Sequence, residues 1–379
     1  MAPPFKCVHM CSSHEATDNR VFHKECRSLV DAGYDVTLIA PATADETVGG
    51  VHIQSIPPSA NRFLRMTQTV WRVYRLALRQ DADIYHFHDP ELLPVGMLLK
   101  WRGKLVVYDV HEDVPRQILN KYWLPAWSRG ILAKAVERFE LWVTKRLDAM
   151  VCATPTIAKR FCPQKAITVY NYPWIDVKSS ASPVPYADRP AKVAYVGGIA
   201  PMRGIHEMME AMALLPKSLD TRLIAGGPFF PPELKEELSV HPGCDRTDFV
   251  GELTRQEVVN LLAECRIGLV TLHPIPNYLD ALPVKLFEYM SAGIPVIASD
   301  FPLWRQIVES AQCGLLVDPL NPQAIADAIQ WLLEHPDEAA QMGQCGREAV
   351  VARYDWRWEA KKLDSLYQRL LTNQSLGIA

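Results

Sequence analysis

From Phe5 to Tyr170, short apolar runs alternate with longer amphipathic stretches, and after one irregular segment the same alternation begins again at Lys192. That pattern admits few folds. Apolar runs bounded by Gly, Pro and polar residues read as strands buried on both faces. The stretches between them read as crossover helices, so the strands lie parallel in a doubly wound α/β sheet. The segment WIDVKSSASPVPYADRPA, residues 174–191, is rich in Ser and Pro and has no period, which reads as a linker. At 379 residues the chain exceeds what one hydrophobic core ordinarily serves. The expectation is a first α/β domain over residues 1–177, a linker over 178–191, a second α/β domain over 192–354 and a closing helix over 355–379 that returns to the first domain. Ligands of open parallel sheets bind beyond the strand C-termini, so the two sets of loops should face a central cleft.

The stretch LDALPVKLFEYMSAGIPVIASD, residues 279–300, concentrates the polar chemistry of the second half. Pro283 suits the first turn of a helix, Lys285 and Glu288 share one face of it, and Gly293 ends it before a buried strand. Asp280 falls in the loop ahead. An electropositive helix end with a lysine favours phosphate, and two carboxylates accept hydrogen bonds from sugar hydroxyls. The plain alternative is a surface ion pair between Lys285 and Glu288 worth roughly 0.2–0.5 kcal/mol. It is weakened by the apolar neighbours Leu286, Phe287, Tyr289 and Met290, which leave little of the helix for solvent. Earlier in the same domain, Val196-Gly197-Gly198 follows the expected first strand and Arg203-Gly204 opens the first helix. Glycines there allow close backbone approach, and Arg203 can grip a phosphate with two parallel hydrogen bonds. After Asp300 the next element read is a strand at residues 315–317, and in the first half residues 51–56 are read as a lone strand.

Composition narrows the class. Hydrophobic content of 49% and charged content of 22% describe a folded globular chain. The nine cysteines lack any metal or redox spacing and read as reduced small hydrophobes. No run approaches the ~18 apolar residues of a spanning helix, and the N-terminus carries no apolar leader, so a cytoplasmic protein is expected. Residues 1–177 carry 22 Lys and Arg against 18 Asp and Glu, while residues 178–379 carry 18 against 25. The basic half includes NRFLRMTQTVWRVYRLALR, residues 61–79, with Tyr122, Trp123, Trp127, Arg129 and Lys134 further on. Such a basic amphipathic helix either packs on its own sheet with arginines outward or lies on an anionic membrane surface. The slightly acidic balance of the whole chain disfavours nucleic acid as a partner.

Taken together, Val196-Gly197-Gly198…Arg203-Gly204, Ile224-Ala225-Gly226-Gly227-Pro228, Phe249-Val250-Gly251 and Lys285-Leu286-Phe287-Glu288-Tyr289-Met290…Gly293-Ile294-Pro295-Val296 resemble the donor domain of retaining glycosyltransferases of family 4. The first half is similar to the same family in Asp18…Arg20-Val21-Phe22-His23-Lys24-Glu25, in His86…Asp89-Pro90-Glu91-Leu92-Leu93-Pro94 and in Tyr108-Asp109-Val110-His111-Glu112. The resemblance implies the GT-B fold and metal-independent, retaining transfer of a hexose-type sugar. The donor would be a nucleoside-diphosphate sugar and the acceptor a glycan or a lipid-linked molecule, with surface polysaccharide as the product. It implies that Glu288 binds the ribose hydroxyls and that Asp280, shorter than the family's glutamate, holds the transferred sugar. His111 would approach that sugar near the bond being broken. The two pyrophosphate-binding positions of the family fall on Gly198 and Arg203. Arg203 keeps the charge, whereas Gly198 lacks it, and Lys285 is the natural substitute.

Two other readings remain at this level. His86-x-His88-Asp89 at a strand end, with Asp109 and His111, is also how some metal-dependent hydrolases hold zinc. It leaves the motifs of the second half without a purpose. A non-catalytic sugar-nucleotide-binding protein of the same fold is the other, favoured by Gly198 and Asp280.

Overall fold

The computed structural model describes residues 4–59, 61–119, 124–175 and 184–375. It contains two compact units, one made of Met1–Asn171 with Trp356–Ala379 and the other of Tyr172–Asp355. Tyr122 and Trp123, and residues 178–183 of the expected linker, lie outside the described residues.

The first unit is built on β1 (Lys6–Met10), β2 (Asp35–Pro41), β3 (Glu46–Val48), β4 (Val51–Ile56), β5 (Ile84–Phe87), β6 (Leu105–Val110), β7 (Ala149–Cys152) and β8 (Ala166–Thr168). They form one sheet in the order β3-β4-β2-β1-β5-β6-β7-β8, parallel except for the β3–β4 pair. Every residue of β5, β6 and β7 is buried, which explains why these strands read as unbroken apolar runs. The chain steps from β4 across to β5 and then onward to β8. Right-handed crossovers therefore put the helices Val70–Gln80, Leu93–Trp101 and Ala126–Thr144 on one face, and the middle helix packs against both of the others. The helical segment 21–31 packs with the last helix, Trp356–Ser375. There Trp356 Nε1 donates to Ser28 Oγ at 2.8 Å and the Tyr34 hydroxyl donates to Asp364 at 3.0 Å.

The second unit contains β9 (Lys192–Val196), β10 (Arg222–Gly226), β11 (Thr247–Gly251), β12 (Ile267–Val270), β13 (Val296–Ser299) and β14 (Gly314–Val317). Their order is β11-β10-β9-β12-β13-β14, and all five pairs are parallel. The strand order reverses at β9 and β12 here and at β1 and β5 in the first unit, the places where doubly wound sheets open a crevice.

Three local expectations change. Residues 51–56 do not stand alone: β3 and β4 form a hairpin through Gly49 and Gly50, with φ of 56° and 81°. This two-residue Gly-Gly turn is a sequence signal for a hairpin. A helix, Pro302–Ala311, fills the interval after Asp300 that the sequence reading left empty, burying Trp304, Ile307, Val308 and Ala311 at helical spacing. Pro283 is the cap of its helix, in extended backbone, and the helix itself runs Val284–Ser291. Gly293 follows with φ of 69° and ends it.

Candidate active site

In the second unit the loop after β9 and the helix Val284–Ser291 meet at the point where the strand order reverses. Lys285 is buried, with its Nζ 3.8 Å from the centre of the Tyr195 ring. It has no hydrogen-bond partner. Gly197, at φ 127°, leaves the space above the ammonium open, because a Cβ there would lie 3.1 Å from Lys285 Nζ and 3.6 Å from Arg203 Nη1. Two cations therefore converge on one glycine loop. Burial first, then the charge of Arg203, push the Lys285 pKa down to about 7, with Glu288 acting in the opposite direction. Burial opposes the charge of Arg203 as well, but Tyr195 and Tyr278 beside it hold its pKa up. The first N–H groups of the helix receive no side-chain cap. An unpartnered buried ammonium, a guanidinium and an uncapped helix start together make an anion site.

The sequence reading placed Gly197, Gly198, Arg203 and Lys285 at a phosphate, and the structure does bring these four together. It also accounts for the missing arginine at position 198. A Cβ on Gly198 would lie 3.0 Å from the Phe230 ring and 3.2 Å from Arg203 Nη1, so Arg203 and Phe230 already occupy that room. Glu288 is half-buried on a helix whose residues 285–287 and 289–291 are all buried. Asp280 lies in the loop before the helix, which Trp304 pins by donating Nε1 to the Ala281 carbonyl at 2.7 Å. The sequence reading missed Tyr195, which floors the lysine, and Trp304. The spacing of Trp304 with Ile307, Val308 and Ala311 could have revealed the latter, while nothing in the sequence pairs Tyr195 with Lys285.

His111, in the loop just after β6, belongs to a different constellation in the first unit. Asp109 sits at its centre, fully buried. Arg20 donates to both of its oxygens at 3.0 and 3.1 Å, and His111 Nε2 lies 2.7 Å from Oδ2. Burial would raise the Asp109 pKa, but Arg20 and His111 hold it well below the carboxylate range, so it only accepts hydrogen bonds. His88 Nδ1 lies 3.2 Å from both Asp109 Oδ2 and His111 Nε2, and its Nε2 lies 2.9 Å from His9 Nδ1. Burial pulls the His88 pKa down to about 4 and that of His9 well below the usual range, so both rings are neutral. The Tyr367 hydroxyl joins His9 Nε2, 3.2 Å away, to His86 Nδ1 at 2.9 Å. The hydrogen-bonded chain ends at His111, whose Nε2–H donates to Asp109. Beside it His14, although burial works to lower its pKa, is held up to about 9 by its hydrogen bond and charge contact with Asp89.

The same cluster answers the metal question in part. His9, Glu25, His86 and His88 bring ligand atoms within 4.8 Å of one another, as do Glu25, His88, Asp109 and His111. Hydrogen bonds engage atoms of His9, His88 and Asp109, and Arg20, 3.0 Å from Glu25 Oε1, sets a cation inside the cluster that would repel a dication. Both Glu25 oxygens and His86 Nε2 are nevertheless buried without a hydrogen-bond partner, so the ligand atoms are not all used within the chain.

Two family descriptions match this chain: "Glycosyltransferase Family 4" over residues 19–171 and "Glycosyl transferases group 1" over residues 177–349. The chain belongs to glycosyltransferase family 4. A glycogen synthase of Mycobacterium tuberculosis is 25% identical over 386 aligned positions, spanning 92% of this chain and 90% of the relative. The fold is GT-B. Sucrose-phosphate synthase from Thermosynechococcus elongatus superposes with a TM-score of 0.75 at 20% identity, over 97% of this chain and 99% of that one. Anabaena HepE in complex with UDP-glucose does so with a TM-score of 0.72 at 15% identity, over 96% and 99%. This glycosyltransferase thus has the architecture that its alternating sequence pattern anticipates.

Proposed function

We propose that this glycosyltransferase transfers a hexose-type sugar from a nucleoside-diphosphate donor, with retention and without a metal, to a glycan or lipid-linked acceptor in surface polysaccharide assembly. The observation that carries the reading is the buried, unpartnered Lys285 ammonium beside Arg203 above Gly197. A pyrophosphate satisfies both cations and the helix start at once, and fixed positive charge of this kind favours departure of a nucleoside diphosphate. In this reading Glu288 takes the ribose hydroxyls and Asp280 the transferred sugar. His111, oriented by its hydrogen bond to Asp109, meets that sugar. HepE, a structural neighbour, holds UDP-glucose, which supports a nucleotide-sugar donor without naming the base or sugar used here.

The test is a panel of nucleotide sugars with nucleotide release as the readout, run with and without a chelator, on the intact protein and on Glu288→Ala and His111→Ala. Release by the intact protein that survives chelation and falls by about two orders of magnitude in the variants is the expected result. Normal turnover by Glu288→Ala overturns the site assignment. Tight donor binding with no release under any acceptor condition makes the chain a binding module. Activity lost to the chelator and restored by zinc returns the metal reading.

A further inference from the structure

The helix Ala126–Thr144 turns only part of its surface inward, burying Ala133, Glu140, Val143 and Thr144. Trp127 is 78% exposed and Ile131 66%, and Leu132, Phe139 and Trp142 also stand in solvent. At 100° per residue these five side chains fall on one side of the helix, and the exposed Lys134, Arg138 and Arg146 lie among them or at their edge. No acid offsets them there, since Glu140 is buried against Arg160 and Glu137 is half-buried. Phe139 and Trp142 stack at 6.3 Å, and the Arg146 guanidinium lies 4.1 Å from the Trp142 ring.

The same face of the sheet carries two more helical segments of like character. Phe63, Met66 and Trp71 protrude from residues 61–80, a stretch with exposed arginines and no acidic residue at all. The helix between, Leu93–Trp101, ends in Trp101, which is 69% exposed, and is followed by Arg102.

Single exposed apolar residues are ordinary; five aromatic and aliphatic side chains on one side of a 19-residue helix, interleaved with arginine and lysine, with further exposed apolar and basic residues on the two helical segments of the same sheet face, are not. We propose that this face of the first unit docks on an anionic phospholipid bilayer. Apolar tips would enter the acyl boundary, and the guanidinium and ammonium groups would pair with lipid phosphates. A second copy of the chain would set like charge against like charge. Nucleic acid would engage the arginines but leave Ile131, Leu132 and Met66 with nothing to stack on. No helix among the described residues is long and apolar enough to cross a membrane, so the contact is one of surface docking. The inference rests on the proposed lipid-linked acceptor only for its purpose, which is to bring enzyme and acceptor together.

Flotation of the full-length protein with vesicles tests it, comparing phosphatidylcholine alone with phosphatidylcholine mixed with phosphatidylglycerol. Binding is expected on the mixed vesicles, weakened at least about tenfold on neutral vesicles and by raised salt. A similar loss is expected in Trp127→Ser with Trp142→Ser, and independently in Arg72→Glu with Arg138→Glu. Circular dichroism and nucleoside-diphosphate binding should be unchanged in these variants, which separates a failure of docking from misfolding and from a failure of the donor reading. A wild-type protein that stays soluble beside anionic vesicles at low salt overturns the proposal. So does binding that the variants retain. Self-association that disappears in the tryptophan variants would assign the face to a second copy instead.

Discussion

Lys285 joins fold and binding in one side chain. An ammonium with a pKa lowered to about 7 is harder to keep charged in the folded chain than in the unfolded one, where lysine titrates near ~10.4. Between those values the unfolded chain binds the extra proton, so ligand-free stability falls as pH drops through that window and levels off below about 7. A bound pyrophosphate reverses the bias by stabilising the charged form. Nucleoside-diphosphate affinity of the wild type should therefore weaken as pH rises above about 7, by up to tenfold per pH unit, beyond the change caused by the ligand's own titration. Lys285→Met should remove that extra slope and bind at least about tenfold more weakly, yet melt no lower than the wild type without ligand, because an apolar isostere replaces an uncompensated buried charge. Calorimetric titration across pH, with thermal melts, checks both halves. Asp109→Asn tests the other constellation. It takes from Arg20 the carboxylate that accepts two of its hydrogen bonds, leaving Glu25 as the buried acid beside it, and should destabilise the protein by about 1–3 kcal/mol in denaturant titration. Lys285 and His111 were legible as residues because each follows a strand or opens a helix at a recognisable place. Their settings were not. Arg20 and Asp109, 89 positions apart, and His86 and Tyr367, 281 apart, meet only because the sheet order and the last helix bring them there.

At the level of elements, the helix Trp356–Ser375 does more than close the chain, since its Tyr367 hydroxyl is the link between His86 and His9. Tyr367→Phe keeps the ring but leaves His86 Nδ1 and His9 Nε2 without the hydroxyl that they share. The variant should lose about 1–3 kcal/mol in denaturant titration, and the nitrogen chemical shifts of the His9 and His86 rings should report altered tautomers. Unchanged stability together with unchanged shifts would mean that the hydroxyl does not order the chain. The elements that were legible are those with a single dominant signal, such as β5 and β6 with their unbroken apolar runs. The hairpin at Gly49-Gly50 and the helix Pro302–Ala311 did carry signals. Those signals are weak beside the long apolar runs, because short strands and a polar-rimmed helix share the polar composition of loops. The helix matters to the site, because Trp304 holds the Ala281 carbonyl and with it the loop of Asp280.

At the scale of the whole molecule, the two units differ in how the chain makes them. Tyr172–Asp355 is one continuous segment with its own hydrophobic cluster, from Val193 and Tyr195 through Met208 and Met212 to Ile329 and Leu332. The first unit is discontinuous, because its sheet is completed by a helix that arrives after the second unit has been traversed. Leu363, Leu366 and Tyr367 of that helix are buried at 0–2% exposure. A fragment of residues 1–171 would therefore leave an apolar face and two histidine rings uncovered, whereas residues 172–355 carry all of Gly197, Arg203, Asp280, Lys285 and Glu288 on a complete sheet. The expected outcome is asymmetric. The fragment 172–355 should fold cooperatively and bind the preferred nucleoside diphosphate within about tenfold of the full chain, since no group proposed to hold the pyrophosphate or ribose lies elsewhere. The fragment 1–171 should aggregate or populate a state with weak near-ultraviolet circular dichroism, and appending residues 356–375 through a flexible linker should restore its cooperative melt. Loss of nucleotide binding by a well-folded 172–355 fragment would show that part of the donor site comes from the first unit. A stable, monomeric 1–171 would show that the last helix is dispensable and that the histidine chain it completes does not govern folding.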